Sequence, residues 1–148
     1  MTTLHNEITI NAPIEKIWDA LTEVDRLDQF DPTVKKSVAL TETRKGIGAK
    51  RKVDMLDGKN WFEDQCTVYQ PNETLTYELT NCSFPVHALK HSYRFEKVGD
   101  QTKVKQVMEY TMKFGFLGKV LDKLMVRKQT EAGIRKFFDG LKSYTEGI

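Results

Sequence analysis

The C-terminal stretch Phe116 to Tyr144 most constrains what this chain can fold into. It contains no proline, and its apolar residues recur at helical spacing: Leu117, Val120, Leu121, Leu124, Met125, then Ile134, Phe137, Phe138, Leu141 and Tyr144. The long tract before it alternates apolar and polar residues, as strands do. One long helix laid across a sheet buries both apolar faces. The helix has an internal fault. At ~100° per residue, the group Leu117–Met125 and the group Ile134–Leu141 point in directions more than ~90° apart. Between them lie Arg127, Lys128, Gln129, Thr130 and Glu131, then Gly133, a weak helix former. The spacing predicts a kink or break there, with the two halves covering different things. The alternative is one smoothly bent helix with a polar window.

At 148 residues the chain reads as a single domain, 1–148, long enough for a substantial core. No internal repeat or low-complexity linker divides it. The formal charge of +2 is too small to point to nucleic acid. The basic run Lys50-Arg51-Lys52 has no interleaved aromatic residue. Basic residues on the terminal helix (Lys119, Lys123, Arg127, Lys128, Arg135, Lys136, Lys142) outnumber acidic ones and read as a solvated face. Cys66 and Cys82 are too few for a disulfide framework. No N-terminal charged-then-apolar signal is present, and no apolar run approaches ~18 residues. The expectation is a soluble, cytoplasmic protein with no stable membrane insertion.

Leu4 to Ile10 alternates as a short strand. Pro13 suits the first position of a helix, and Ile14, Ile17, Trp18 and Leu21 mark one face of it. A second short helix is expected over Val24 to Phe30, ended by Asp31-Pro32. Strands follow near Val34–Thr43 and Ala49–Met55, parted by Lys45-Gly46-Ile47-Gly48. Asp57-Gly58 is a two-residue turn signal. Trp61–Tyr69 is the next strand, Pro71-Asn72-Glu73 turns the chain, and Leu75, Tyr77 and Leu79 alternate through another. Asn81 to Val86 is looser.

The cleanest pattern is the last hairpin. Leu89, His91, Tyr93 and Phe95 share one face; across the turn at Gly99-Asp100, Val104, Gln106, Met108, Tyr110 and Met112 share the matching one. Pairing Val98 with Gln101 predicts the inward pairs Phe95–Val104, Tyr93–Gln106, His91–Met108 and Leu89–Tyr110. One face wet and one apolar is the mark of a sheet covered on one side.

The segment Ile10-Asn11-Ala12-Pro13-Ile14-Glu15-Lys16-Ile17-Trp18-Asp19-Ala20-Leu21 resembles the first motif of the START-like, or SRPBCC, superfamily. Phe30-Asp31-Pro32, Gly46 and Gly48, the Pro71 to Tyr77 segment, and Phe114-Gly115-Phe116-Leu117-Gly118 match it as well. The resemblance covers nearly the whole chain. It implies an α+β helix-grip fold: a curved antiparallel sheet of about seven strands around a long C-terminal helix, with two short helices after the first strand and an apolar cavity between. Its members include polyketide cyclase/dehydrase-like proteins, lipid carriers, hormone receptors and co-chaperones, so the fold does not choose an activity.

A strongly twisted sheet of long strands curls around more volume than one helix of ~10 Å diameter occupies. The expectation is therefore a cavity walled by Tyr77, Leu89, His91, Tyr93, Phe95, Gln106, Met108, Tyr110 and Met112 from the sheet, and by Leu121 and Met125 from the helix. A few polar groups on an apolar wall suit an oily ligand that carries an oxygen or two. The methionines suit loose recognition. Each inward tyrosine has a blander reading as a core residue whose hydroxyl meets the backbone, and Gln106 needs a polar partner. His87 and His91 lie ~13 Å apart on a strand, too far to share an ion, and no metal or cofactor motif occurs. Glu63 and Asp64 face opposite ways. The leading expectation is a carrier of a hydrophobic small molecule such as a lipid, isoprenoid or polyketide. The alternative is a metal-free cyclase with His91 as proton carrier and Tyr93 or Tyr110 polarising a carbonyl. It ranks second because no inward carboxylate or arginine stands out to support His91. A co-chaperone-like domain ranks third, and an exposed edge strand allows a homodimer.

Overall fold

The computed structural model describes residues 1–147. Seven strands form one antiparallel sheet: β1 (Thr2–Ile10), β2 (Val34–Ala39), β3 (Lys50–Met55), β4 (Trp61–Gln70), β5 (Thr74–Cys82), β6 (Val86–Val98) and β7 (Gln101–Met112). Their order is β1-β7-β6-β5-β4-β3-β2, so the N-terminal strand closes onto the last one and β1 and β2 are the edges. Helix α1 (Ile14–Thr22) follows β1 and buries Ile17, Trp18 and Leu21. The expected second helix is a single 3-10 turn, Leu27–Gln29, because Val24 leaves helical pairing to donate its N–H to the Arg44 carbonyl.

The β6–β7 hairpin has the register that its alternation predicts, with Val98 opposite Gln101 and the four inward pairs as expected. The two glycines of Lys45-Gly46-Ile47-Gly48 sit at φ +97° and +90°, a left-handed backbone that favours glycine at this tight connection. The β2 strand ends at Ala39, four residues short of expectation, because Thr41 and Thr43 turn their hydroxyls onto nearby backbone carbonyls instead of extending the ladder.

The terminal helix runs as α2 (Gly115–Leu121), a π-helical segment (Asp122–Val126) and α3 (Arg127–Glu146). The fault is therefore a π-bulge just before the polar window, where a wider turn changes which face looks inward. α3 buries Ile134, Phe137, Phe138 and Leu141 against the sheet. Its fit is tight at Gly140, whose position leaves no room beside the Phe30 carbonyl.

α2 does not follow the expected orientation. Its packed side is Gly118 and Asp122, with Val126 beyond, one turn apart; Leu117, Val120, Leu121, Leu124 and Met125 face solvent. Two features set this rotation. A side chain at Gly118 would collide with the Lys113 carbonyl, so only bare backbone fits there. Asp122 accepts hydrogen bonds from the Thr2 hydroxyl (2.5 Å) and from the Tyr110 hydroxyl, which pins it to β1 and β7.

Candidate functional site

The concave side of the sheet carries a buried charge cluster. Strand alternation sends Arg51 inward with Val53, and the β3–β4 register sets Arg51 opposite Asp64. The two form a bidentate pair, Nε to Oδ1 at 2.8 Å and Nη2 to Oδ2 at 3.1 Å. Both side chains are almost wholly buried. The guanidinium also lies over the Tyr77 ring, 4.3 Å from its centroid. The β5–β6 register brings His91 beside Tyr77, and His91 Nε2 stands 3.9 Å from Asp64 Oδ2, beyond hydrogen-bond reach. His91 Nδ1 is buried with no partner among the described residues.

Burial lowers the His91 pKa to about 4; Asp64 opposes that shift and Arg51 adds to it. The imidazole is neutral at physiological pH. Burial raises the Tyr77 and Tyr93 hydroxyls well above the ordinary phenol range. Burial also pushes the Cys66 thiol up to about 11, so it offers no thiolate for catalysis.

The neutral His91 has a consequence for stability. Between about pH 6.5 and pH 4 the unfolded chain takes up a proton that the folded one refuses, so stability falls as pH drops through that window. The full penalty is on the order of 3 kcal/mol. In thermal unfolding across this range, His91→Phe is expected to show a flatter acid limb than the parent chain. Parallel limbs for the two proteins would mean that His91 is solvated.

The remaining polar residues are largely satisfied from within. Tyr77 donates to the Leu21 carbonyl at 3.1 Å, which ties β5 to the end of α1. Gln106 Nε2 donates to the Tyr93 hydroxyl at 3.1 Å, so Tyr93 is the polar partner that an inward amide requires. Tyr110 is committed to Asp122. Leu89, Phe95, Met108 and Met112 are half-buried on the inner face. Leu121 and Met125 stand away from this group, 39% and 52% exposed.

The expected open cavity is absent beneath α3. Phe137 of α3 meets Tyr93 (ring centroids 6.1 Å apart) and Phe30 (5.8 Å). The void left between these rings, Arg51 and Tyr77 is about 10 Å³, room for about one water. Tyr77 and Tyr93, expected to line a cavity, fill it instead, together with Phe30 and Phe137. A hollow of about 150 Å³ lies further along the strands, lined by Leu79, Leu89, Tyr110 and Met1 and, from the alternate rows, by Glu78, Ala88, Lys90, Glu109 and Thr111. It sits where β5 and β6 part, beyond their last pair, Glu78–Lys90. Leu79 and Leu89 continue the rows of Tyr77 and His91, one ~7 Å strand repeat on.

Arg51 and Asp64 are the residues that sequence reasoning missed. The premise that nothing charged supports His91 is corrected by both. A signal was present: Arg51 is in phase with Val53, and Asp64 is in phase with Phe62 and Cys66, so each strand carried one charge on its apolar side.

A curved antiparallel sheet of seven strands gripping a C-terminal helix defines the helix-grip, START-like class. Residues 1–146 match the family model for polyketide cyclase/dehydrase and lipid transport, and the chain belongs to that family. Among solved structures it is similar to TTHA0849 from Thermus thermophilus, with a TM-score of 0.81 and 16% identity over 99% of this chain and 98% of that one. It is similar also to a START superfamily protein from Mycobacterium smegmatis (TM-score 0.78, 16% identity, 98% and 97% covered). Ara h 8.0201 superposes with a TM-score of 0.79 at 17% identity, over 99% of both chains. These likenesses establish the fold. No curated protein matches the chain.

Proposed function

We propose that the protein binds and carries a hydrophobic small molecule of the lipid, isoprenoid or polyketide type. Its polar end meets the Arg51–Asp64–His91 cluster, and its apolar body lies along Leu79, Leu89, Met108 and Met112. The observation that carries this reading is the cluster itself. A buried ion pair adds little to stability over apolar residues of the same size, and His91 Nδ1 is left without a partner among the described residues. Such an arrangement costs the fold free energy that recognition of a polar group can offset. The family's description, which includes lipid transport, agrees with it.

A ligand of ordinary size occupies ~300 Å³ or more, against the hollow of about 150 Å³ at the parting of β5 and β6. The bound state is therefore wider, and α2 with its π-helical segment, held by few packed side chains, is the element that yields. An organic extract of the purified protein, analysed by mass spectrometry, is expected to yield one apolar compound with an oxygen function. Arg51→Met/Asp64→Leu, folded but without the polar cluster, is expected to yield at least ten-fold less. Extracts with no bound compound from repeated preparations would contradict the reading.

A second reading has one observation in its favour. A neutral His91 near a carboxylate can accept a proton from a bound substrate, as a metal-free cyclase requires. His91→Gln separates the two: it abolishes turnover, whereas carriage, which keeps Arg51 and Asp64, is weakened and not lost.

A further inference from the structure

We propose that α2 and the π-helical segment form a docking surface for an anionic lipid bilayer, on which the protein lies without crossing it. The half-helix is built inside out. Its packed side is Gly118 and the polar Asp122, whereas Phe116, Leu117 and Leu124 are 78%, 73% and 67% exposed. Phe114, Val120, Leu121 and Met125 are exposed around them. The rotation is not incidental, because the close approach at Gly118 and the two hydroxyls on Asp122 fix it.

Phe114 adds an independent sign. It adopts a left-handed backbone at φ +72°, unusual for a bulky residue, and its side chain is 71% exposed. A mostly exposed ring on such a backbone presents its apolar surface to the outside.

Charge selects the partner. From Lys113 to Lys128 the chain has five basic residues (Lys113, Lys119, Lys123, Arg127, Lys128) and one acid, Asp122, a local charge of +4 against +2 for the whole chain. The acid is turned inward, and all five basic residues are exposed. Arg127 pairs with Glu131; the four lysines have no ion-pair partner among the described residues. Lys119 and Lys123, one turn apart, border the apolar face. Exposed apolar side chains edged by cations suit the headgroup level of a bilayer, where the chains enter the acyl boundary and the cations meet anionic lipid. A self-associating face would not carry a repelling charge of one sign at its border. Among the described residues no helix is long and apolar enough to cross a membrane; the binding proposed is interfacial.

The exposed residues of the docking surface lie outside the concave face, so vesicle binding and ligand carriage are tested separately. The test is co-sedimentation of the full chain with phosphatidylcholine vesicles, with and without phosphatidylserine. The chain is expected to sediment with the vesicles that contain phosphatidylserine and to release in high salt. Leu117→Ser/Leu124→Ser is expected to bind about ten-fold more weakly or worse, with unchanged thermal unfolding because neither side chain packs in the core. Lys119→Gln/Lys123→Gln is expected to lose about twenty-five-fold, at about five-fold per lysine. A parent chain that stays in the supernatant would overturn the proposal. So would a leucine variant that binds as well as the parent, or a stable dimer that hides Leu117 and Leu124 and ignores vesicles.

Discussion

Asp64→Ala is expected to destabilise the fold by about 3–5 kcal/mol, because it leaves the Arg51 guanidinium buried without its hydrogen-bonded counter-charge. For a chain of this length that corresponds to a fall of roughly 10 °C in unfolding temperature. The guanidinium lies over the Tyr77 ring beside the inner face of β4; the buried carboxylate of Asp31 also feels its charge, but forms no salt bridge with it. Replacing both partners, as in Arg51→Met/Asp64→Leu, removes charge and demand together and is expected to recover most of the loss. The comparison is made by urea unfolding of the single and double variants. A single variant within about 1 kcal/mol of the parent would mean that water already reaches the pair. If the double variant is stable, the ion pair is dispensable to folding, and its presence needs a functional reason. That outcome is what the ligand reading requires.

Gly140→Ala is expected to be the other severe substitution. An added Cβ would stand 1.9 Å from the Phe30 carbonyl oxygen and 3.0 Å from the Phe30 carbonyl carbon and Pro32 Cδ. These atoms belong to the corner that leads from the 3-10 turn into β2, so relief requires moving α3 or breaking the corner. Alanine is the better helix former by about 1 kcal/mol. Overpacking against backbone costs about 3 kcal/mol or more and wins. Gly133 in the same helix is the control: its position meets nothing within 4 Å. Gly133→Ala is expected to stabilise by about 0.5–1 kcal/mol. Thermal unfolding of the two variants should therefore move in opposite directions. A Gly140→Ala protein as stable as the parent would show that α3 sits further from the Phe30–Pro32 corner.

The fold was legible because local patterns and long-range demands agree. The β6–β7 hairpin alternates without interruption, so one turn at Gly99-Asp100 sets every inward pair down to Leu89–Tyr110. The second half of the terminal helix was equally clear, since Ile134, Phe137, Phe138 and Leu141 do what apolar spacing promises. The first half misled for a physical reason. Periodicity identifies an apolar face but not where it points, and here a single glycine and a single carboxylate took the inner side. Leu121 and Met125 were assigned inward by the same logic.

The site was harder to read. Lys50-Arg51-Lys52 looks like a solvated basic run, and only the strand phase shared by Arg51 and Val53 shows that one of the three is buried. The volume of the interior depends on ring packing, which composition does not give. Tyr77, Tyr93, Phe30 and Phe137 each have a normal place in a core, and together they occupy the space that curvature alone would leave open.

The central claim is that the concave face seats an oily molecule whose polar end reaches Arg51, Asp64 and His91. Its most direct measurement is a titration of the isotope-labelled protein with anilinonaphthalene sulfonate, an apolar ring system with one anionic group, followed by amide chemical shifts. The account expects shifts to concentrate at Arg51, Asp64, Leu79, Leu89, His91 and Tyr93, with the rows facing away from the helix unmoved. Shifts confined to the exposed residues of α2, with the inner strands silent at saturation, would contradict it.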